Sequence, residues 1–369
     1  CIEKSAERDK KPLALSTVRY FRKSVFSAVS CHKECQENFT ASKLQQASFT
    51  LYRISVFDRI ALMAKSSAEK KEPTIRSIDS YNAFLPYLII PFRIKSAKVL
   101  FRFLRTVVRD FFWLQFSVKW RFKTIPVLDV SHPLDELIPF TPDKVKIYLN
   151  FTNFWIRPMT LLFRRFGVKK ALPYCIEYLS LIETAYANAA KVYRFCMTTT
   201  KRPDYKTDAA FKMIHAFDPH LLCVPSLHVA IVILSSVYYA DVFKNDDFTE
   251  EERKTYTAEL REGARRIIES VLYVKQHSVN CIPAAMYMML YVLKNRFTIS
   301  AGIDIINSLF ADDETLSDSD KKKISAHIHF MFEHLLLEGA NENDWTVPVK
   351  RWLKSYARSK NIVLPLDRR

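Results

Sequence analysis

Glycine is scarce in this chain: 369 residues contain only four, Gly167, Gly263, Gly302 and Gly339. Gly-rich loops bring backbone close to phosphate in dinucleotide-binding and P-loop folds, so neither fingerprint can form here. A shortage of glycine also disfavours a β fold, which needs many tight turns. The absence therefore favours an all-α fold.

Cysteine is present, but it forms no recognisable disulfide or metal framework. The seven cysteines are an odd number, and several lie in apolar helical runs, where a thiol is usually a small buried hydrophobic group. Cys31 and Cys35, with His32 between them, could bind a metal or form one disulfide, but no second pair with metal-ligand spacing follows. We expect a reduced protein without a metal or other cofactor.

Acidic residues are in deficit, with 39 Asp and Glu against 56 Lys and Arg and a net charge of +17. Such an excess attracts phosphates on lipid headgroups, nucleic acid or soluble esters, and by itself does not choose among them. A solvated basic surface is the plainer interpretation. No recognised nucleic-acid module accompanies the charge, so nucleic acid is the least favoured partner.

Hydropathy divides the chain into three regions. Residues 1–125 are basic and contain amphipathic helices. Residues 126–298 hold a series of apolar helical segments, which predict a bundle of about five to six core helices; the segments are roughly 144–164, 172–198, 208–242, 260–276 and 280–296. Residues 299–369 are polar and form a helical appendage, with amphipathic helices predicted at 321–339 and 345–358.

Residues 99–123 (VLFRFLRTVVRDFFWLQFSVKWRFK) are amphipathic in a particular way. Arg102, Arg105 and Arg109 recur at intervals of three and four residues, with Phe, Leu, Val and Trp between them. This spacing predicts a helix with cations on one face and aromatic side chains on the other. Such a helix either lies flat on a membrane or packs against its own protein.

One later window is apolar enough to suggest a membrane. In residues 221–239 only His228 is ionisable apart from Cys and Tyr, and the window is long enough to span a bilayer. Charges such as Arg157 and Glu183 interrupt other segments and are costly in lipid unless they face a cavity or protein interior. The helices surround a polar site in the membrane or form a soluble bundle; we expect membrane localisation, integral or peripheral.

Three short stretches beside apolar helices combine histidines, cations and hydroxyls: 198–203 (TTTKRP), 223–228 (CVPSLH) and 275–281 (KQHSVNC). Cleavage of a phosphoester through histidine needs one imidazole that attacks phosphorus and another that protonates the leaving oxygen. Cations and hydroxyls must stabilise the equatorial oxygens as charge shifts in the transition state. The candidates are His228 and His277 for the chemistry, and for phosphate binding Lys201, Arg202, Ser226 and Lys275.

Together these stretches resemble the signature blocks of the type 2 phosphatidic acid phosphatase and haloperoxidase superfamily. The resemblance is strongest to its inositol phosphotransferase-like branch, whose second block reads P-S-L-H and whose third reads K-Q-H. Residues 134–149 (LDELIPFTPDKVKIYL) also resemble the IPF-x-P segment of that branch, and the similarity covers about 130–296. It implies a membrane-linked phosphatase or headgroup phosphotransferase acting on a lipid phosphate or another phosphate ester.

The resemblance also implies a role for each candidate residue. His277 would be the nucleophile that forms a phosphohistidine, and His228 would be the general acid. Arg202 and Ser226 would bind phosphate, and Lys275 occupies a position that is often basic in this branch. No metal or cofactor is implied.

Two departures from the family pattern define an alternative. A family lysine seven residues before the first-block arginine is Phe195 here, with Arg194 beside it as a candidate replacement for phosphate binding. The third-block aspartate, which accepts a hydrogen bond from the nucleophilic imidazole and fixes its tautomer, is Cys281. Asn280 is one residue away, about 100° around a helix. The alternative is a catalytically impaired member that binds anionic lipid or phosphate without turnover.

The remaining histidines fall into two groups. His215 and His220 lie just upstream of the second block and could line the site. His327 and His334, seven residues apart, share a helix face. We interpret this second pair as surface or packing residues.

Overall fold

Helices dominate the computed structural model, which describes residues 75–205, 208–362 and Leu364. Helical residues account for 71% of it and strand residues for 2%, which confirms the all-α prediction. All of these residues belong to one unit, Glu72–Arg369. The amphipathic helices predicted before residue 75 and the Cys31–Cys35 pair lie outside the described residues.

The regular elements alternate long core helices with short connecting turns. The α-helices are α1 (Phe84–Ile89), α2 (Ile94–Val107), α3 (Leu114–Lys119), α4 (Val145–Leu149), α5 (Phe151–Tyr193), α6 (Ala209–Phe217), α7 (Leu227–Val242), α8 (Glu250–Tyr273), α9 (Cys281–Leu293), α10 (Ile299–Ser308), α11 (Asp318–Gly339) and α12 (Thr346–Ser359). A π-helical turn, Val108–Trp113, joins α2 to α3. The 3-10 turns are Ile78–Ser80, Ile90–Phe92, Pro133–Glu136, Pro142–Lys144 and Lys294–Arg296.

Helix α7 forms the centre of the bundle and packs against α5, α8 and α9. It is apolar on every side, and the six consecutive side chains from Val229 to Leu234 are completely buried. A helix that is hydrophobic all round needs partners on all faces, and each large apolar side chain removed from water contributes about 1.5–3 kcal/mol. The predicted apolar window thus supplies the innermost helix of the core.

The window 221–239 is not one continuous helix, because α7 begins only at Leu227. Residues 208–242, predicted as a single helical segment, divide into α6 and α7 around Pro219 and Pro225. Proline removes a backbone donor and disfavours helix in the residue before it. Across residues 75–205 and 208–362, we find no helix with both the length and the apolarity needed to cross a membrane.

Helix α5 is interrupted at Gly167, whose φ of 70° and ψ of 170° are not helical. Residues with a side chain rarely adopt this conformation, so glycine is suited to the break. The interruption agrees with the sequence, which predicted separate helical segments at 144–164 and 172–198. The second half of α5 leads into β2 and so delivers the first chemical stretch to the site.

The only strands in the described part of the chain are β1 (Val127–Asp129) and β2 (Met197–Thr199), which pair in parallel. The sequence did not predict them, because three-residue strands are too short to show a periodic pattern. The C-terminal helices agree closely with prediction: α11 packs on α9, and α12 packs on α11 and α5.

Candidate functional site

Backbone hydrogen bonds join the three chemical stretches. The hydroxyl of Thr198, at the middle of β2, accepts from the Val224 amide at 2.7 Å, and its carbonyl accepts from the Cys223 amide at 3.2 Å. The Ser226 amide donates to the carbonyl of Cys281 at 3.4 Å. Segments far apart in the sequence therefore meet at the N-terminus of α7.

The histidines of the second and third stretches meet at this junction. His228 is in the first turn of α7, and His277 is in the loop between α8 and α9. Their ring centroids are 5.6 Å apart at an interplanar angle of 65°. His277 is buried, with 8% of its surface exposed. The structure thus brings together the two imidazoles that the sequence identified.

Both rings are held in the neutral form. Burial lowers the pKa of His228 to about 4, and the carboxylate of Asp218 acts in the opposite direction. Burial also holds the pKa of His277 well below its usual range, as do the neighbouring His228, His220 and Arg202. Since a neutral imidazole has a free lone pair, His277 can act as a nucleophile, whereas His228 must gain a proton before it can act as an acid.

The Nδ1 atom of His277 is buried and has no hydrogen-bond partner among the described residues. The thiol of Cys281 instead accepts from the Ser278 amide at 3.4 Å. The amide side chain of Asn280 bonds the Val130 carbonyl at 3.0 Å and the ring of His327 at 2.8 Å. Neither neighbour replaces the carboxylate that would fix the His277 tautomer, so the sequence departure at Cys281 has a visible consequence.

Arg202 approaches the site through Asp218. Its guanidinium donates to the Asp218 carboxylate at 2.8 Å and to the Asp218 carbonyl at 3.3 Å, while its buried Nε lacks a partner. Its side chain is 15% exposed. Burial lowers the pKa of His220 and His277, and the charge of Arg202 acts in the same direction. An arginine fork that meets a carboxylate in this way can equally meet two phosphate oxygens.

Two adjoining cavities give the site a polar end and an apolar end. The smaller, about 20 Å³, can hold a water molecule and is lined by His220, His228, His277, Gln276, Cys223 and Asp218, with Phe111, Leu222 and Leu227. The larger, about 280 Å³, is lined mainly by aromatic and aliphatic side chains, including Phe111, Phe112, Phe151, Tyr186, Ile214 and Phe217. Phe111, Asp218, Leu227 and His228 border both.

None of the five predicted phosphate ligands lines either cavity. Ser226 is completely buried and caps α7, its hydroxyl accepting from the Val229 amide at 3.4 Å. The Lys275 ammonium donates to the carbonyls of Asp135 and Ile138. Arg194 pairs with the buried Asp110, and Lys201 is exposed. Of the predicted set, the structure therefore groups His228 and His277 in one pocket, and Arg202 reaches this pocket only through Asp218, which borders both cavities.

Several residues at the site were missed or only partly anticipated. His220, which the sequence suggested as a possible lining residue, bonds the Thr200 hydroxyl at 2.7 Å. The rings of Tyr148 and Phe151 pack on His228 at centroid distances of 4.6 and 4.7 Å. The sequence included Tyr148 in the segment 134–149, which resembles the approach to the first core helix. Neither this segment nor Phe151 just after it reveals which side chains face inward.

Within residues 75–205 and 208–362 there is no group of three or more His, Cys, Asp or Glu side chains arranged to hold a metal ion. The cysteines of this region, Cys175, Cys196, Cys223 and Cys281, are buried free thiols. Comparisons of the chain with protein-family models, with curated proteins and with solved structures found no match.

Proposed function

We propose that this chain is a phosphoester hydrolase or phosphotransferase that acts on a lipid phosphate through a phosphohistidine at His277. The observation that carries the proposal is the pair of imidazoles, with ring centroids 5.6 Å apart, in a pocket where Asp218 holds the guanidinium of Arg202. The resemblance to the type 2 phosphatidic acid phosphatase superfamily supports the same roles. Nothing in the proposal requires a cofactor.

Substrate binding changes the charge of the site. A phosphoryl group that enters between the rings takes the Arg202 fork from Asp218 and brings negative charge beside two neutral histidines. That charge raises the pKa of His228, which burial otherwise lowers to about 4. The bound substrate therefore provides the condition under which His228 holds a proton.

The reaction then proceeds in two displacements. A ring nitrogen of neutral His277 forms a bond to phosphorus, the ester P–O bond breaks, and the leaving alkoxide takes the proton of His228 as it departs. Water next attacks the phosphohistidine and gives its proton to His228, and the P–N bond breaks to release phosphate and neutral His277. An alcohol in place of water gives headgroup transfer.

The adjoining cavity of about 280 Å³ supports an amphiphilic substrate, since its lining is mostly hydrocarbon. Peripheral or integral attachment to a membrane would bring such a substrate to the site. The narrow polar cavity, about 20 Å³, must widen when a phosphate head enters. Displacement of the Asp218 side chain from Arg202 is the simplest change that provides room.

The direct test is phosphate release from detergent-dispersed phosphatidic acid by the purified chain. The His277→Ala variant should have no activity, and acid-labile, base-stable label from ³²P-substrate should appear on the native protein only. His215→Ala is the matched control, because this histidine does not line either cavity. Equal phosphate release by native and His277→Ala protein would contradict the mechanism.

The partnerless Nδ1 of His277 favours a second candidate, an impaired member that binds phosphate without turnover. Cys281→Asp tests it, because a carboxylate four residues after His277 can orient the imidazole. A rate gain of on the order of tenfold or more, equivalent to about 1.4 kcal/mol in the barrier, indicates a weakened enzyme. Phosphate binding without turnover in both forms indicates a binding protein. Cys281→Asn, which adds the volume without the charge, controls for disturbance of this buried position.

A further inference from the structure

Helix α2 partly reverses the pattern of an ordinary surface helix, because its inward face buries polar side chains beside Phe103 and its outward face exposes large apolar side chains. Its inward face, continued into the following π-helical turn, includes Ser96, Thr106 and Asp110, which are at most 6% exposed. Its outward face carries Ile94 and Phe101, which are 79% and 70% exposed. A surface helix in water normally turns its apolar stripe to the core. The reversed pattern indicates that this face has a partner other than water.

The reversed pattern extends well beyond α2. More than half of the exposed large hydrophobic side chains in the described residues fall between residues 84 and 122, among them Phe92, Trp113, Trp120 and Phe122. We call the outward surface of residues 84–122 the aromatic-basic face. Concentrations of exposed apolar side chains of this kind mark interaction surfaces rather than ordinary solvated protein.

Exposed cations border the apolar side chains. On α2, Lys95, Lys98 and Arg105 are exposed and lie beside the stripe formed by Ile94 and Phe101. At the other end, Lys119, Arg121 and Lys123 alternate with the half-exposed rings of Trp120 and Phe122. Aromatic rings with adjacent lysines and arginines match the boundary between acyl chains and anionic headgroups.

We propose that the aromatic-basic face docks on an anionic lipid bilayer, with α2 lying in the plane of the headgroups. This surface stands on its own evidence, whether or not the site turns over substrate. Tryptophan at the water–lipid boundary and cations at the headgroup level are the chemistry that such a bilayer recognises.

Charge argues against the two other occupants that the chain itself could supply. In a two-fold dimer through this face, the cationic borders of both copies would be brought together. Residues 1–74 carry more Lys and Arg than Asp and Glu, so they too would bring like charge to a basic surface. A bilayer with anionic headgroups supplies both the apolar medium and the opposite charge.

The face is continuous with the larger cavity, and this link rests on the proposed function. Phe112 is 38% exposed and also lines the cavity of about 280 Å³, as does its neighbour Phe111. A bilayer seated on the face would therefore meet the apolar end of the site. A lipid phosphate could then reach the site without crossing water, with its hydrocarbon chain extending from the membrane into the apolar cavity.

Vesicle co-sedimentation of the full chain tests the docking surface. Phosphatidylcholine vesicles containing phosphatidylserine should bind the native protein more tightly than phosphatidylcholine alone. The double variant Ile94→Ser/Phe101→Ser should lose about tenfold or more in affinity, because two large side chains no longer enter lipid. Lys95→Glu/Lys98→Glu should weaken binding to anionic vesicles and leave the weaker binding to neutral vesicles unchanged.

The matched control is Phe330→Ser/Leu337→Ser on α11, where the native side chains are 64% and 77% exposed. It should bind anionic vesicles like the native protein. Trp113 and Trp120 are 49% and 55% exposed, whereas Trp345 and Trp352 are 4% and 7% exposed. Vesicles should therefore shift tryptophan emission to the blue, because Trp113 and Trp120 move from water into the lipid interface.

Equal vesicle binding by native protein and Ile94→Ser/Phe101→Ser would overturn the docking proposal, as would absence of binding by the native chain. Dimer dissociation caused by the same variant would assign the face to a second copy. The His277→Ala protein should still bind vesicles, and Ile94→Ser/Phe101→Ser should still hydrolyse a short soluble phosphate ester if the native protein does. Failure of the docking surface and failure of the proposed chemistry are therefore distinguishable.

Discussion

Asp218 holds the arginine fork that a phosphate would need. Its carboxylate accepts from Arg202 at 2.8 Å and from the His220 amide at 2.9 Å, and its side chain borders both cavities. We expect Asp218→Asn to bind inorganic phosphate about three- to tenfold more tightly, because it removes one negative charge near the anion and a competing partner of Arg202. Isothermal titration calorimetry at fixed pH measures the change.

Asp241→Asn is the matched control, since Asp241 of α7 pairs with Lys244, which follows the helix, and borders neither cavity. The asparagine oxygen at position 218 can still accept from the His220 amide, so the local backbone bond is retained. Weaker phosphate binding by Asp218→Asn would contradict the competing role and would make Asp218 a residue that positions Arg202.

Sequence reasoning found the two imidazoles because their chemistry is expressed in residue type and order. Lys275 was predicted as a phosphate ligand because the turn after α8 has no clear sequence signal. In this turn Lys275 has a φ of 54°, and its ammonium donates to two backbone carbonyls. Sequence reasoning missed Asp218, which has no fixed spacing to the histidines and reaches the site only through the loop between α6 and α7. Side-chain direction in loops depends on tertiary contacts.

At the scale of elements, the prediction was best where a periodic pattern was long and weakest at boundaries. Helix α8 begins at Glu250, although the predicted segment began at residue 260. The signal was present: Thr249 and Glu252 form a reciprocal capping box at its start. The first turns of α8 are charged, so a search for apolar periodicity does not detect them.

The packing of α11 against the core includes a stacked histidine pair. The rings of His132 and His327 are 4.0 Å apart at 22°, and His327 also bonds Asn280, three residues after His277. Burial lowers the pKa of His327 to about 4, and the nearby His132 acts in the same direction. Burial also lowers the pKa of His132, with Asp135 opposing and Lys360 reinforcing the shift.

These shifts predict that acid weakens the attachment of α11. In the unfolded chain histidine titrates near pH 6.5, so the unfolded state binds protons below that pH while the folded pair does not. The contribution of the pair to the free energy of unfolding is therefore fully present above about pH 7. It falls as the pH drops from about 6.5 towards 4. On acidification, His327→Gln protein should lose less stability than the native protein, by on the order of 1–2 kcal/mol. This figure is reduced because the pair is partly exposed to solvent.

Urea unfolding at pH 7.5 and pH 5 measures how much free energy of unfolding each protein, native and His327→Gln, loses between the two pH values. His329→Gln is the control on the same helix, because its ring bonds only the exposed Asn307 among the contacts found for it. Other buried histidines, such as His220 and His228, contribute equally to both proteins and cancel. An identical loss in native and His327→Gln protein would show that the stacked pair does not sense pH.

At the scale of the whole molecule, a polar pocket, an apolar cavity and an exposed aromatic surface adjoin one another in that order, an alignment made through shared residues. Phe111 borders both cavities, and Phe112 extends from the larger cavity to the aromatic-basic face. Composition and periodicity predicted the helical bundle and a basic amphipathic segment, but not this alignment. The alignment arises because α2 packs on α5, and the π-helical turn that follows α2 contributes Phe111 and Phe112 to a cavity also lined by Leu227 and His228 of α7. This long-range relation has no local sequence signal.

This alignment predicts a dependence on alkyl chain length that a site for small soluble phosphates would not show. Each methylene transferred from water into the cavity of about 280 Å³ should contribute about 0.8 kcal/mol, or roughly a fourfold change in affinity. For n-alkyl phosphates, kcat/KM, or affinity if the site only binds, should rise from ethyl to about octyl and then level off as the cavity fills.

Phe217→Ser should reduce the gain for octyl phosphate and leave ethyl phosphate unchanged, because Phe217 lines the large cavity and not the small one. Tyr291→Ser, which removes a half-exposed ring outside both cavities, should change neither. A flat profile across chain length would separate the histidine pair from the apolar cavity and assign the site to a small, water-soluble ester.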